Sequence, residues 1–143
     1  MALGPPPFPR IPVGLSHTLV VPVARELSAD ALGNPGVRAY ATPMLVLGVE
    51  QAAVAAIGSY LDDGFISLGT HIDLRHLAPT PVGAEARIQV RLEAVEGRRL
   101  RFSVVAEDGI ERIAVGDHER YLARTADFLD RLERKAARLA RLP

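Results

Sequence analysis

The chain has 143 residues, 48% of them apolar, a formal net charge of zero and no cysteine. This length suits one folded domain, so we expect residues 1–143 to form a single unit with 1–13 as an extended proline-rich arm. The neutral charge balance argues against a nucleic-acid surface, and the missing cysteines exclude disulfides and thiolate metal sites. We find no signal peptide and no apolar run of membrane-spanning length, so we expect a cytoplasmic protein without a membrane partner.

The first predicted element is a strand. The run Leu19-Val20-Val21-Pro22-Val23 predicts a strand within 15–23, and its proline indicates an edge or a strand end. Residues 25–37 mix Asp, Asn, Gly and Pro, which predicts a loop with at most a short helical turn.

The next segment predicts a long buried helix. Thr42 suits the N-cap and Pro43 suits the first helical position, and the helix should run to about Leu61. Apolar residues cover every face of this helix, which is typical of a helix enclosed by the rest of its domain. Glu50 is its only charged residue.

The remainder of the chain predicts the structure around that helix. Strands are expected at 65–77, 84–95, 100–106 and 113–123, and the short turns between the later ones favour antiparallel pairing. Residues 126–142 carry apolar side chains at helical spacing, which predicts an amphipathic terminal helix lying on the domain. We therefore predict an α+β protein of the hotdog type, in which an antiparallel sheet wraps around one long buried helix.

Glu50 is the first candidate functional residue. A carboxylate removed from water is costly unless it is paired, and such perturbed acids often serve as bases or nucleophiles in active sites. The alternative is structural, with the side chain reaching a subunit boundary and pairing with an arginine. The sequence pattern favours neither interpretation.

His76 and Thr42 are the other candidates. Ile72, Leu74 and His76 share the apolar face of their strand, so the imidazole should face the helix, where it can act as a general base. A core histidine bonded to a backbone carbonyl is the alternative. Thr42 can serve simply as a helix cap, although free N–H groups at a helix start can also hold an oxyanion. The four histidines do not converge in the sequence pattern, so we predict no metal site.

Several short motifs, taken together in order and spacing, resemble the fluoroacetyl-CoA thioesterase branch of the hotdog superfamily over about residues 14–128. The motifs are Val20-Val21-Pro22, Tyr40-Ala41-Thr42, Glu50, Gly69-Thr70, His76, Val95-Glu96-Gly97-Arg98-Arg99-Leu100 and Gly116-Asp117-His118-Glu119-Arg120. The resemblance implies that Thr42, Glu50 and His76 are catalytic. It implies that Gly69, Arg120 and Tyr40 bind substrate, and that the site lies at the interface of a homodimer.

The predicted activity is hydrolysis of a short or medium acyl-CoA thioester, with coenzyme A as part of the substrate and no other cofactor. A dimer of dimers is left open. Aromatic lid residues precede the threonine in the fluoroacetate-specific member of the family. Here Gly36 stands where a lid phenylalanine is expected, so the resemblance does not carry over the fluorinated acyl group.

Two alternative functions are a non-catalytic acyl-CoA-binding protein and a hotdog enoyl-CoA hydratase. The Asp-x-Asn-Pro-x-His pattern that is usual in such hydratases is missing from this sequence.

Overall fold

A computed structural model describes residues 3–4 and 6–143 of the chain. It contains five strands and two α-helices: β1 Ser16–Pro22, α1 Thr42–Ile57, β2 Phe65–His76, β3 Glu85–Glu96, β4 Arg99–Glu107, β5 Arg112–Arg124 and α2 Thr125–Leu139. The loop predicted after β1 carries two short 3-10 turns, Arg25–Leu27 and Asp30–Leu32.

The predicted N-terminal arm lies partly outside the described residues, at Met1, Ala2 and Pro5. Its described part has no regular secondary structure, but it is anchored to the domain. The Phe8 ring packs against the Phe65 ring with centroids 5.4 Å apart, and Ile11 is buried in the core. Arg98 and Arg124 both lie over the Phe8 ring, in cation–π contacts that fix the arm beside the sheet.

The five strands form one antiparallel sheet in the order β1-β3-β4-β5-β2. The predicted edge position of the first strand is confirmed, because β1 pairs only with β3 and ends at Pro22, where a missing N–H does no harm to the ladder. The hairpin turn between β3 and β4 contains Gly97 at φ 62°, a conformation that favours glycine. The other edge strand is β2, which carries one of the predicted catalytic residues.

Helix α1 packs across one face of the curled sheet, as predicted. Its inward side chains meet the alternating apolar residues of the central strands, among them Ile88, Val90 and Phe102, all fully buried or nearly so. Gly48 permits the close approach, since a Cβ there would lie 2.5 Å from the Ile88 Cδ1 atom. Burial of about 25 cal/mol for each Å² of this apolar surface is the main force that holds the helix in place.

The prediction that α1 is enclosed on every side is wrong for a single chain. The sheet covers one face of the helix, whose buried residues are Leu45, Gly48, Val49, Ala52, Ala53, Ala56 and Ile57. On the opposite face Leu47 is 43% and Val54 is 47% exposed. Residues 42–60 are also long and apolar enough, by length and composition alone, to cross a membrane, a property that core helices share. Packing against the sheet of the same chain therefore does not explain the exposed apolar stripe.

The predicted ends of α1 also need correction. The N-cap is Ala41, in an extended conformation at φ −75° and ψ 139°, so Thr42 is the first helical residue and Pro43 the second. The α-helix ends at Ile57 rather than near Leu61, because the chain tightens into a 3-10 turn over Gly58–Tyr60.

Helix α2 is amphipathic as predicted but packs more loosely than predicted. None of its residues is buried, and Leu129, Leu132 and Leu139 are each more than half exposed. Between α2 and the outer face of the sheet runs an open groove of about 850 Å³, floored by apolar side chains that include Leu68 and Phe128. The helix thus lies beside the sheet without closing on it.

Candidate active site

A β-bulge in β2 brings two predicted site residues to the same face of the sheet. Gly69 and His76 are seven positions apart, so a regular strand would place them on opposite faces. The register of β2 against β5 shifts between Gly69 and His71, and this extra residue reverses the alternation. Gly69 and His76 therefore both face α1. The sequence pattern gave no sign of the bulge.

Thr42 and His76 form a hydrogen-bonded pair at the start of α1. The threonine Oγ1 lies 2.8 Å from the histidine Nδ1. Burial lowers the pKa of His76, and the backbone of Ala78 opposes that shift in part. The neutral imidazole is therefore favoured, which is the form that can accept a proton from a hydroxyl or a water. A shallow depression of about 270 Å³ opens at this pair.

The Thr42 hydroxyl does not cap the helix, because it is directed to the imidazole instead. The start of α1 also offers fewer free N–H groups than the sequence suggested. Pro43 has none, and the N–H of Met44 donates to the carbonyl of Ala41 at 3.0 Å. An oxyanion at this end of the helix would thus meet a limited set of donors.

Glu50 lies two turns further along α1, half-buried, with its carboxylate beside Gly69 of β2. A Cβ added to Gly69 would lie 3.1 Å from the Glu50 Oε1 and 3.3 Å from the Nη1 of Arg120. The absence of a side chain at Gly69 thus leaves a gap between a carboxylate and a guanidinium. The predicted residues Glu50, Gly69 and Arg120 therefore meet at one place.

Arg120 is 5% exposed and its guanidinium is held on three sides. Its Nε donates to Ser67 Oγ at 2.8 Å and its Nη2 donates to the Ser67 carbonyl at 3.0 Å. Its Nη1 lies 3.2 Å from His118 Nε2. Burial lowers the pKa of Arg120, and the Glu50 charge opposes that shift, yet an arginine keeps its charge at any ordinary pH.

The sequence analysis named His118 only as part of a motif and did not predict its place in the site. This histidine is fully buried on the inner face of β5, two positions before Arg120, with its ring stacked near Phe102 at a centroid distance of 6.3 Å. One signal could have found it. His118 and Arg120 occupy alternate positions of a strand whose other inward residues, Ala114 and Leu122, are apolar, and two polar residues in such a row usually have each other as partners.

Tyr40 lines the depression at Thr42 and His76, but its hydroxyl is used elsewhere. It donates to the carbonyl of Met44 at 3.3 Å, and burial raises the pKa of Tyr40 to about 12. The phenol thus supports the first turn of α1, and Tyr40, which is 3% exposed, presents little surface to a ligand.

The six predicted site residues fall into two groups in one chain. Thr42, His76 and Tyr40 form the first group, and Glu50, Gly69 and Arg120 form the second. Glu50 is eight positions after Thr42 in the helix, which corresponds to about 12 Å along the axis at 1.5 Å per residue. Within residues 3–4 and 6–143 there is no group of three or more His, Asp or Glu side chains arranged to hold a metal ion.

Comparison with known proteins identifies the family. A profile of the fluoroacetyl-CoA-specific thioesterases matches residues 23–126. The chain belongs to this family. The fluoroacetyl-CoA thioesterase of Streptantibioticus cattleyicolor is 40% identical over 132 residues, which cover 88% of this chain and 94% of that protein.

Solved structures of the fluoroacetyl-CoA-specific thioesterase family and its neighbours share the fold. A crystal structure of a point mutant of the fluoroacetyl-CoA-specific thioesterase superposes with a TM-score of 0.81 at 33% identity, covering 88% of this chain and 98% of that one. A thioesterase superfamily member from Thermus thermophilus gives 0.85 at 28% identity, covering 92% and 97%. A hotdog-like protein from Thermanaerovibrio acidaminovorans gives 0.81 at 26%, covering 87% and 92%. The predicted hotdog fold is confirmed.

Proposed function

We propose that this protein hydrolyses a short acyl-CoA thioester at a site in which Thr42 and His76 of one chain act together with Glu50 of a second copy. The coarse part of this statement follows from the family, which makes the chain a thioester hydrolase acting on acyl-CoA. The site residues, the acyl length and the second copy are the proposal. Coenzyme A enters only as part of the substrate.

The observation that carries the proposal is the pairing of a neutral imidazole with a hydroxyl at the open depression beside Pro79. Hydrolysis of a thioester needs a nucleophile, a group that moves protons and donors for the carbonyl oxygen. The pair of Thr42 and His76 supplies the proton-handling group. The Glu50 carboxylate supplies either the nucleophile or the base that activates water.

The covalent route and the water-attack route give the same products. An oxygen from Glu50 or from water adds to the carbonyl carbon, the C–S bond breaks, and the CoA thiolate leaves and takes a proton. In the covalent route water then attacks the acyl-glutamate and releases the carboxylate. Gly69 lies beside the Glu50 carboxylate, and we assign its backbone N–H as the donor to the carbonyl oxygen. Loss of one such donor costs about 10²–10³ in rate.

A short acyl group fits the dimensions of the site. The depression at Thr42 and His76 measures about 270 Å³. Residues 34–38, just before the threonine, are exposed and do not line it. Structures of the fluoroacetyl-CoA thioesterase include mutants in complex with fluoroacetate and with acetyl-CoA, both two-carbon acyl groups. Gly36 carries no side chain where a lid phenylalanine is expected from the family, so we expect acetyl-CoA and its near homologues to be accepted without preference for fluorine.

The second copy is proposed because one chain leaves the two groups about 12 Å apart along α1. Val46 lies midway between Thr42 and Glu50. A two-fold axis that crosses α1 near Val46 would therefore place the Glu50 of one copy beside the Thr42 of the other. The exposed stripe of Leu47 and Val54 lies on the accessible side of that helix and would be buried by the contact. Two-fold pairing through the same patch on both copies is the commonest form of homo-oligomer.

The first experiment is thiol release from a panel of acyl-CoAs, measured for the wild type and for Glu50→Gln. We expect release from short acyl-CoAs by the wild type and a fall of about 10²–10⁴ in the variant, the usual contribution of a positioned acid or base. Gln51→Ala, which changes the exposed neighbouring residue, is the matched control. Absence of release by the wild type from every acyl-CoA would overturn the proposed activity.

Subunit complementation tests the shared site. His76→Ala and Glu50→Gln are each inactive alone, but a mixed dimer has one site with both defects and one with neither. After random exchange of subunits we expect roughly a quarter of the wild-type rate to return, because half of the dimers are mixed. If both groups act within one chain, no activity returns on mixing.

A further inference from the structure

The tautomer of the buried histidine on β5 is fixed by its two partners. His118 Nδ1 lies 2.8 Å from the carbonyl oxygen of His71, which can only accept, so Nδ1 carries a proton. Its Nε2 lies 3.2 Å from Arg120 Nη1, which can only donate, so Nε2 carries a lone pair. Both contacts require the same neutral form of the ring.

The surroundings of His118 strengthen that conclusion. The side chain is 0% exposed, and burial lowers the pKa of His118, with the charge of Arg120 acting in the same direction. The titratable and charged groups that face it are Arg120 on β5, Glu50 on α1 and His71 on β2, while β4 contributes the uncharged Phe102 ring. A protonated His118 would lose its bond to Arg120 and place two cations in contact.

Arg120 in turn depends on His118 for its geometry. Its three hydrogen bonds go to Ser67 Oγ, the Ser67 carbonyl and His118 Nε2, and only the last of these fixes Nη1. That nitrogen is the one that faces the gap at Gly69, opposite Glu50 Oε1. The acceptor on His118 therefore determines where the arginine charge lies relative to the carboxylate.

We propose that His118 is a positioning residue for the thioesterase reaction, which holds Arg120 Nη1 beside Gly69 and so sets the charge opposite Glu50. The inference rests on the proposed function, because it concerns the same site. A nearby cation favours the ionised form of a carboxylate, the form needed for a nucleophile or a base. Displacement of the Arg120 charge should therefore reduce turnover.

Two amide substitutions separate the two hydrogen bonds of His118. The amide of His118→Asn can replace Nδ1 as donor to the His71 carbonyl but leaves Nη1 of Arg120 without an acceptor. The longer His118→Gln can present its carbonyl oxygen near the position of Nε2 and keep that acceptor. We expect His118→Asn to lower kcat/KM by about 10- to 100-fold, the effect of a misplaced group near the reacting atoms. We expect His118→Gln to stay within about threefold of the wild type, since the charge keeps its place.

Rescue by the conservative variant distinguishes positioning from a purely structural role. Loss of packing alone would lower the rate in His118→Asn and His118→Gln alike. We expect the loss in His118→Asn to resemble that in Arg120→Gln, and the double variant to lose no more than Arg120→Gln alone, because both substitutions remove one effect. Equal kcat/KM for the wild type and a folded His118→Asn would overturn the proposal.

Wild-type turnover is measured first, so that the two failures can be told apart. No turnover would overturn the proposed function, whereas wild-type turnover with an unaffected His118→Asn would overturn only the role of His118. Nitrogen-15 NMR of the histidine rings gives a readout that needs no variant to fold. We expect Nδ1 of His118 to be protonated and Nε2 bare from pH 8 to pH 6, and a protonated Nε2 in that range would refute the arrangement.

Discussion

The two halves of the site differ in how firmly one chain holds them. Around Gly69, Arg120 is 5% exposed and its guanidinium makes three hydrogen bonds to β2 and β5. At the start of α1, Thr42 is exposed and its hydroxyl has one side-chain partner, His76. The first half is fixed by a network within the sheet, and the second is open at the surface.

The difference corresponds to two requirements of an active site, rigidity and access. A charge that stabilises a reaction must be in place beforehand, because its reorganisation would cost the energy it supplies, and the sheet interior provides that rigidity. Groups that receive substrate must remain accessible, and the proposed pair of Thr42 and His76 lies at the end of a helix and a strand. On the proposed function a second copy completes this half, and the exposed Leu47 and Val54 mark the side on which we expect it.

The largest expected effect lies in the open half. His76→Ala should lower thiol release by about 10²–10⁴, because it removes the proton-handling group. His71→Ala is the matched control, since that side chain is exposed on the other face of the same strand while its backbone carbonyl remains in place for His118. Comparable losses in the two variants would show that β2 had been damaged as a whole, and the assignment of His76 would be wrong.

Gly69→Ala tests the gap in the buried half. Its methyl group would lie 3.1 Å from the Glu50 Oε1 and 3.3 Å from the Arg120 Nη1, tight contacts that push the two groups from their places. We expect a loss of roughly 10- to 100-fold in kcat/KM, because misplacement by about 1 Å can cost 10²-fold. Gly58→Ala is the control, since a Cβ there meets nothing within 4 Å. Retention of full activity by Gly69→Ala would mean that substrate does not approach this gap.

A smaller effect is expected from Thr42→Val, which removes the hydroxyl but keeps the shape. If the hydroxyl only orients the imidazole or a water, its loss should cost roughly 2- to 10-fold, the value of one hydrogen bond. Thr42→Ser, which keeps the hydroxyl, should remain close to the wild type. A loss in Thr42→Val as large as that in His76→Ala would instead identify the hydroxyl as a reacting group.

Much of the fold follows from local patterns in the sequence. The alternation in β3 and β4, the proline in β1 and the turn at Gly97 predicted strands, edge and hairpin within about one residue of their observed ends. These features could be predicted because each arises from neighbours in the chain. The apolar run in α1 was misread as fully enclosed, because the sequence does not show which face the sheet covers and which face it leaves open.

The site was only partly predictable for the same reason. His76 was placed on the helix side correctly, since alternation from Ile72 is unbroken to the end of β2. Its relation to Gly69 was not predictable, because the bulge between them depends on the pairing with β5. The prediction that Thr42 caps the helix was wrong, because its hydroxyl forms a hydrogen bond with the imidazole of His76 on a distant strand. Contacts across long sequence separations decide all of these points.

The smallest effect concerns stability and compares the same two halves by their histidines. Burial lowers the pKa of both His76 and His118, so below the usual histidine pKa of about 6.5 the unfolded chain binds more protons than the folded one. The free energy of unfolding is therefore unaffected above that pH and falls as the pH drops toward and through the folded pKa values. Urea unfolding at a series of pH values from 8 to 5 measures the slope. His118→Gln should flatten it more than His76→Gln, because His118 is fully buried and His76 only partly so. Equal slopes in both variants would mean that the two histidines are equally accessible to protons, and the contrast between a closed half and an open half would not hold.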